Sequence, residues 1–206
     1  MTRRRRNSLS RQEIADAALA ELAERGFAGL TVRSVAARME AAPMSLYNHV
    51  RSRDEIIDLA TDAVLARLDL DLGRHEPIVQ LALRHLTLLR RHPWAIPELL
   101  ARPYPGEAAA RIGETYLEAA ARAGAPPAVQ AKALMGVLAL VYGTAGFVVP
   151  RADAQAAGEV AERIRSVDEA AFPRSAAAAA DLGGYGDPAV FAETVRALLR
   201  GLGVRP

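Results

Sequence analysis

Between Pro43 and Val50 the chain reads PMSLYNHV, a run of side chains suited to base edges and phosphate oxygens. The Asn48 carboxamide can pair bidentately with adenine, the Ser45 hydroxyl serves several base edges, and Pro43 and Met44 offer apolar surface to thymine methyls. Leu46 and Val50 take the buried edge of a short helix at this spacing. That leaves Ser45, Asn48 and His49 on the exposed side and frees the Tyr47 hydroxyl for a phosphate. Each residue also has a plainer reading: a solvated helix face for Ser45, Asn48 and His49, a half-buried aromatic for Tyr47, inward packing for Met44.

Other chemistry is thin. His49, His75, His85 and His92 stand in no H-E-x-x-H arrangement, and no G-x-S-x-G elbow, Walker loop or dinucleotide glycine pattern occurs. With no cysteine there are no disulfides, cysteine zinc sites or thiol nucleophiles, and nothing requires an oxidising compartment. We expect no catalytic residues, no metal and no cofactor.

The elements that must hold the octapeptide are legible from caps and stops. Ser10 with Glu13 forms a capping box for a helix over 10–25, with Ile14, Ala15, Ala18, Leu19 and Leu22 on one stripe and Gly26 as its stop. Thr31 caps a second helix of about eight residues whose Val35, Ala36 and Met39 face inward. After a turn, Pro43 opens the third helix, where its missing N–H is no loss. Ser52 and Glu55 form another capping box, opening a long helix to about Leu72 that links two regions. Further helices are predicted over 77–91, 94–101, 106–123, 127–148, 155–171 and 188–200. Ser175 to Gly186 is expected to be a mobile loop, because its glycines outweigh its alanines. The fold class is all-α, since Ala is so abundant and aromatics make up only 5%.

Charge is uneven. Residues 1–53 hold ten Arg against five acids, and residues 54–206 carry a net −3. A basic end suits a polyanion and serves solubility equally well. Arg3 to Arg6 read either as a tail or as an arm adding nonspecific affinity; no apolar run follows them, so no signal peptide is expected. The uncharged stretch Ala133 to Pro150 is expected to be a buried helix rather than a membrane span, because glycines, a threonine and a proline interrupt it.

Two capped helices, a tight turn and a third short helix have the architecture of a helix-turn-helix reader, whose last helix enters the major groove. The runs Gly29-Leu30-Thr31-Val32-Arg33, Pro43-Met44-Ser45-Leu46-Tyr47-Asn48-His49-Val50 and Arg51-Ser52-Arg53-Asp54-Glu55 resemble the tetracycline-repressor (TetR) family. The likeness is strong over 10–60 and looser over 75–150, where His92-Pro93-Trp94 and Arg102-Pro103 resemble the regulatory region of the tetracycline-repressor branch. Two positions depart from the family: Glu40 stands where it usually has Gly, and Ala42 where it has a Ser or Thr cap. The third helix is therefore expected to be poorly held without DNA.

The resemblance implies a DNA-binding domain over 1–53 and a helical regulatory and dimerisation domain over 54–206. Thr31 and Arg33 join the octapeptide as DNA-contacting residues, with Arg53 clamping the backbone. It implies a cytoplasmic homodimer on a palindromic operator of double-stranded DNA, a repressor rather than an activator, released by a small-molecule effector. The alternative is a helical small-molecule binder or enzyme with a vestigial DNA-binding domain. Gly136, Ala139, Gly143 and Gly146 form a small-residue stripe, read as a dimer interface or as packing within one chain. Trp94, Arg102, Tyr104, Tyr116 and Tyr142 are the candidate effector-binding residues, their rings lining a cavity or filling a core; with few acids nearby, the expected ligand is apolar or anionic. Operator, effector and regulated genes are not readable.

Overall fold

The computed structural model describes residues 9–103, 106–147, 154–168 and 170–205. All regular elements among them are helical. Arg3 to Arg6 and Tyr104 lie outside the described residues. The chain forms two compact units: residues through Arg67 with Pro97–Arg111, and Leu68–Ile96 with Ile112 onward. The boundary therefore differs from a single cut after residue 53.

The first unit begins with α1 (Arg11–Gly29), α2 (Val32–Arg38), α3 (Pro43–Leu46) and α4 (Arg53–Leu65). The Ser10 side chain accepts from the Glu13 N–H while the Glu13 carboxylate accepts from the Ser10 N–H at 2.9 Å, so the capping box is reciprocal. Gly26 breaks α1 at φ +62°, and one further turn follows to Gly29. Thr31 and Ser34 cap α2 in the same reciprocal way. Ser52 caps α4, but Glu55 does not return the bond; its carboxylate accepts from the Arg51 N–H at 2.7 Å instead. α1 packs on α4 and on α2, and α2 on α3. Ile14, Ala18, Val35, Leu46, Ile56, Ala60 and Val64 are fully buried. Each large aliphatic side chain among them contributes about 1.5–3 kcal/mol.

α4 stops at Leu65 rather than running to Leu72. In the second unit, Arg84 Nη1 donates to the carbonyls of Asp69 and Asp71, at 3.0 and 2.7 Å, which holds the segment after α4 in a non-helical course. Within the first unit, Asp62 of α4 accepts from the N–H groups of Ala108 and Ala109 at 3.2 and 3.0 Å, opening α7 (Glu107–Arg122). A carboxylate suits a helix N-terminus. Gly106 is required beside it, because a Cβ there would overlap the Asp62 carboxylate.

α5 (Pro77–Arg91), α8 (Pro127–Phe147) and α12 (Pro188–Gly201) pack on one another in the second unit. Glu76 precedes α5 at φ +47°, held by two hydrogen bonds from Arg196, Nε at 2.7 Å and Nη2 at 2.8 Å. α8 is long and apolar enough to cross a bilayer by length and composition alone. Its Val137, Val141 and Ala145 are buried within the unit. α6 (Ala95–Ala101) falls close to its predicted place, whereas α9 (Ala154–Arg165) ends six residues before the expected 171. The stretch expected to be a loop is α10 (Pro173–Ala177), α11 (Ala179–Gly183) and a 3₁₀ turn, Gly184–Gly186. The alanines determine its conformation, since Ala is the best helix former and the glycines fall only at its end.

Candidate nucleic-acid interface

α3 is a single turn anchored by two side chains. Leu46 and Val50 are buried, while Pro43, Tyr47 and Asn48 are exposed and Met44 is 74% exposed. Met44 therefore points outward rather than into the core. Ser45 and His49 are half-buried. Asn48 and His49 lie in the turn just beyond the helix. The two departures noted in the sequence have structural counterparts: Glu40 sits at φ +50°, in the left-handed region that Gly adopts freely, and Ala42 gives α3 no side-chain cap.

The cations around this turn divide into two kinds. Arg33, in the first turn of α2, is exposed and makes no ion pair or hydrogen bond among the described residues, and the same holds for the guanidinium of Arg51. Arg53 is committed elsewhere: its Nε donates to the Leu30 carbonyl and its Nη2 to that of Phe27, both at 2.8 Å. Arg11 Nη1 donates to the His49 carbonyl at 2.7 Å and pairs with Glu55 at 2.8 Å, tying the turn after α3 to α1 and α4. The Arg51 N–H and Arg11 hold the Glu55 carboxyl below the usual range. The Thr31 hydroxyl accepts the capping bond of α2, which leaves its O–H proton and one lone pair for the expected DNA contact.

The proposed effector residues do not gather as one set. Arg102 belongs to the first unit, where its Nε binds Asp58 and its Nη2 binds Glu98, both at 2.6 Å. Those carboxylates raise its pKa and neutralise the cation expected to meet a ligand. Tyr116 and Tyr142 belong to the second unit, as does Trp94, whose half-buried ring meets His92 edge-on at 6.5 Å. Tyr116 is fully buried, and its hydroxyl has no hydrogen-bond partner among the described residues. His85 is not among the residues that the sequence singles out. It is 1% exposed, both ring nitrogens lack partners among the described residues, and it meets the Tyr142 ring edge-on at 5.7 Å. Burial lowers its pKa to about 4 and raises that of Tyr116, which the neighbouring Tyr142 raises further. No group of three His, Asp or Glu side chains able to hold a metal occurs among the described residues.

The small-residue stripe also divides. A Cβ on Gly136 would lie 2.8 Å from Leu198 of the same chain, so this glycine serves the packing of α8 on α12. Gly146 faces Ile96, whereas Gly143 has nothing within 4 Å and Ala139 is exposed.

Residues 14–60 match the family described as bacterial regulatory proteins, tetR family. An HTH-type transcriptional regulator of Saccharopolyspora erythraea is 34% identical over 120 residues, 56% of this chain and 51% of that protein. The HTH-type transcriptional repressor DrrR1 of Streptomyces coeruleorubidus is 30% identical over 173 residues, 82% of this chain and 62% of the repressor. The chain belongs to the tetR family. It spans about half to three fifths of the length of these two curated relatives. Among solved structures, the transcriptional regulator SCO7222, a TetR from Streptomyces coelicolor, superposes with a TM-score of 0.78 at 28% identity, over 94% of this chain and 97% of that one. For a tetR-family chain the matched segment is the N-terminal DNA-binding domain.

Proposed function

We propose that this tetR-family chain is a cytoplasmic, homodimeric transcriptional repressor that leaves a palindromic operator when a small-molecule effector binds its second unit. The observation that carries the reading is α3 itself. Leu46 and Val50 fix it to the unit, while Met44, Tyr47 and Asn48 face outward in the same unit as Arg33 and Arg51, whose guanidinium groups are unpaired among the described residues. Side chains that reach bases and phosphates are thus presented on a held helix and its following turn, as major-groove reading requires. A two-fold dimer sets two such readers about one helical turn of DNA apart. An effector releases them only if it binds more tightly to the chain with the readers at another separation. No residue set for catalysis is part of this reading.

The test is fluorescence anisotropy of labelled duplexes from the region upstream of the gene, with increasing salt. Tight binding to one duplex that falls steeply as salt rises is expected, because released counterions drive the association. Equal, weak binding to every duplex would leave a helical small-molecule binder with an idle N-terminal domain.

A further inference from the structure

Two polar side chains in the interior of the second unit have no role in reading DNA. His85 on α5 and Tyr116 on α7 place three polar atoms in the interior, Nδ1, Nε2 and the phenol oxygen, none with a hydrogen-bond partner among the described residues. Tyr142 on α8 adjoins both, its ring against His85 and its hydroxyl electrostatically coupled to Tyr116. Buried polar groups are nearly always paired, and an unpaired one lowers stability. Leu at 85 and Phe at 116 would fill similar space without that loss. We propose that His85 and Tyr116 are the polar anchors of the effector site, and that the effector is an uncharged, mainly apolar molecule bearing a hydroxyl or carbonyl group.

This inference rests on the regulator reading above. The ligand class follows from the charges available. Beside Tyr116, only His85 and Thr144 are buried among the described polar or charged residues of the second unit. Burial keeps His85 neutral at neutral pH, so it offers one donor and one acceptor, as does the Tyr116 hydroxyl. The remaining charges on these helices are turned elsewhere: Arg84 binds Asp69; Arg90, five residues on from His85 and so on another face of α5, gives its Nη2 to the Gly186 carbonyl while its Nε has no partner among the described residues; and Arg91, Glu107, Arg111, Glu114, Glu118, Arg122 and Lys132 are exposed. A carboxylate ligand would find no cation here and an ammonium no carboxylate, so either would lose its hydration without compensation. Buried Ile112, Val137, Val141 and Leu86 on the same helices suit an apolar body.

The experiment uses three probes on one ring skeleton, 2-naphthol, 2-naphthoate and 2-naphthylmethylamine, with the full chain, H85L and Y116F. Binding is followed by calorimetry and melting by circular dichroism. Both variants should melt higher than the parent, because each removes orphaned polar atoms, yet bind 2-naphthol about tenfold more weakly, the worth of one hydrogen bond. The charged probes should bind the parent at least as poorly as the variants bind 2-naphthol. Lower melting of both variants would mean that the polar atoms hold the fold together, and would overturn the proposal. So would tighter binding of naphthoate, equal binding of 2-naphthol by all three proteins, or no binding of it up to its solubility. Operator binding by the unliganded parent is measured in the same preparation. If that fails, the regulator reading falls; if it succeeds while the naphthol results fail, only the effector site does.

Discussion

Arg53 Nε donates to the Leu30 carbonyl at 2.8 Å, and the same guanidinium lies 6.0 Å from the centre of the Phe27 ring. The start of α4 is thereby fastened to the end of α1, where the Phe27 carbonyl accepts both from Arg53 Nη2 and from the Leu30 N–H. Arg53→Ala should lower stability by about 1–2 kcal/mol for two charge-assisted bonds at an exposed site, read as a lower melting temperature. It should leave the salt dependence of DNA binding unchanged. Arg51→Ala should do the reverse, reducing the salt slope by about one unit with little change in stability. A reduced slope in the Arg53 variant at parental stability would put that guanidinium on a phosphate after all.

The turn before α3 can be improved in two places. Glu40 at φ +50° carries a strain of roughly 1–2 kcal/mol that Gly would relieve, and Ala42→Ser would add a cap worth about 0.5–2 kcal/mol. Glu40→Gly and Ala42→Ser should each raise the melting temperature, and together they should tighten operator binding by ordering the reader beforehand. Thermal melts and anisotropy check both. Higher stability with unchanged affinity would show that α3 is already fully ordered without DNA.

Why some features can be read from the sequence and others not follows from the range of the interaction that decides them. Ser10 with Glu13, Thr31 and Pro43 act within one turn, and their helices begin where the residues say they should. The inward edge of α3 is equally legible, since Leu46 and Val50 are set by helical spacing. The end of α4 is not, because Arg84, fifteen residues beyond Asp69, decides it. Arg53 and Arg102 both read as ligand-facing cations by residue type and position, yet carbonyls and carboxylates distant in sequence take them up. His85 is inconspicuous for a related reason: on an apolar helix face a lone histidine looks like any other core residue until its missing partners are known.

Asn48 and Tyr47 should separate specific from general binding. Asn48→Ala should cost about 1–3 kcal/mol at operators carrying the adenine it reads and little at others. Tyr47→Phe, which removes only a hydroxyl, should cost roughly 1 kcal/mol on every duplex. Anisotropy against an operator and its single-base variants distinguishes the two profiles. A uniform loss for Asn48→Ala would remove it from base reading.

His85 gives stability a pH dependence whose sign is fixed. Its folded pKa of about 4 lies below its ordinary value of 6.5, so below pH 6.5 the unfolded chain binds a proton that the folded chain excludes. Its effect on stability is therefore absent above about pH 6.5. As pH falls toward 4 the fold loses about 1.4 kcal/mol per unit, levelling near roughly 3 kcal/mol. The acids held low by arginines, Glu55 and Glu76 among them, add their own loss at lower pH, but they are common to parent and variant. The gap in melting temperature between His85→Leu and the parent should therefore widen from pH 7.5 to pH 5. A gap independent of pH would mean that the imidazole is not held neutral.

Gly136 and Gly143 sit two turns apart on α8, and the same substitution should act on them in different ways. At Gly136 an added Cβ already lies 2.8 Å from Leu198 Cδ2, so Gly136→Leu overpacks α8 against α12 within one chain. The expected cost is about 1–3 kcal/mol of stability, whatever the oligomeric state. At Gly143 an added Cβ meets nothing within 4 Å. In a lone chain, Gly143→Ala should therefore stabilise the helix by roughly 0.8–1.0 kcal/mol through propensity alone. If a second copy packs its backbone against this open stripe, Gly143→Leu introduces a side chain where the two helices would touch and should shift the dimer toward monomer by about 1–3 kcal/mol. Sedimentation equilibrium of the two variants, read beside their thermal melts, decides between these. A Gly143→Leu protein that melts higher and remains fully dimeric would place the interface on another face of the chain.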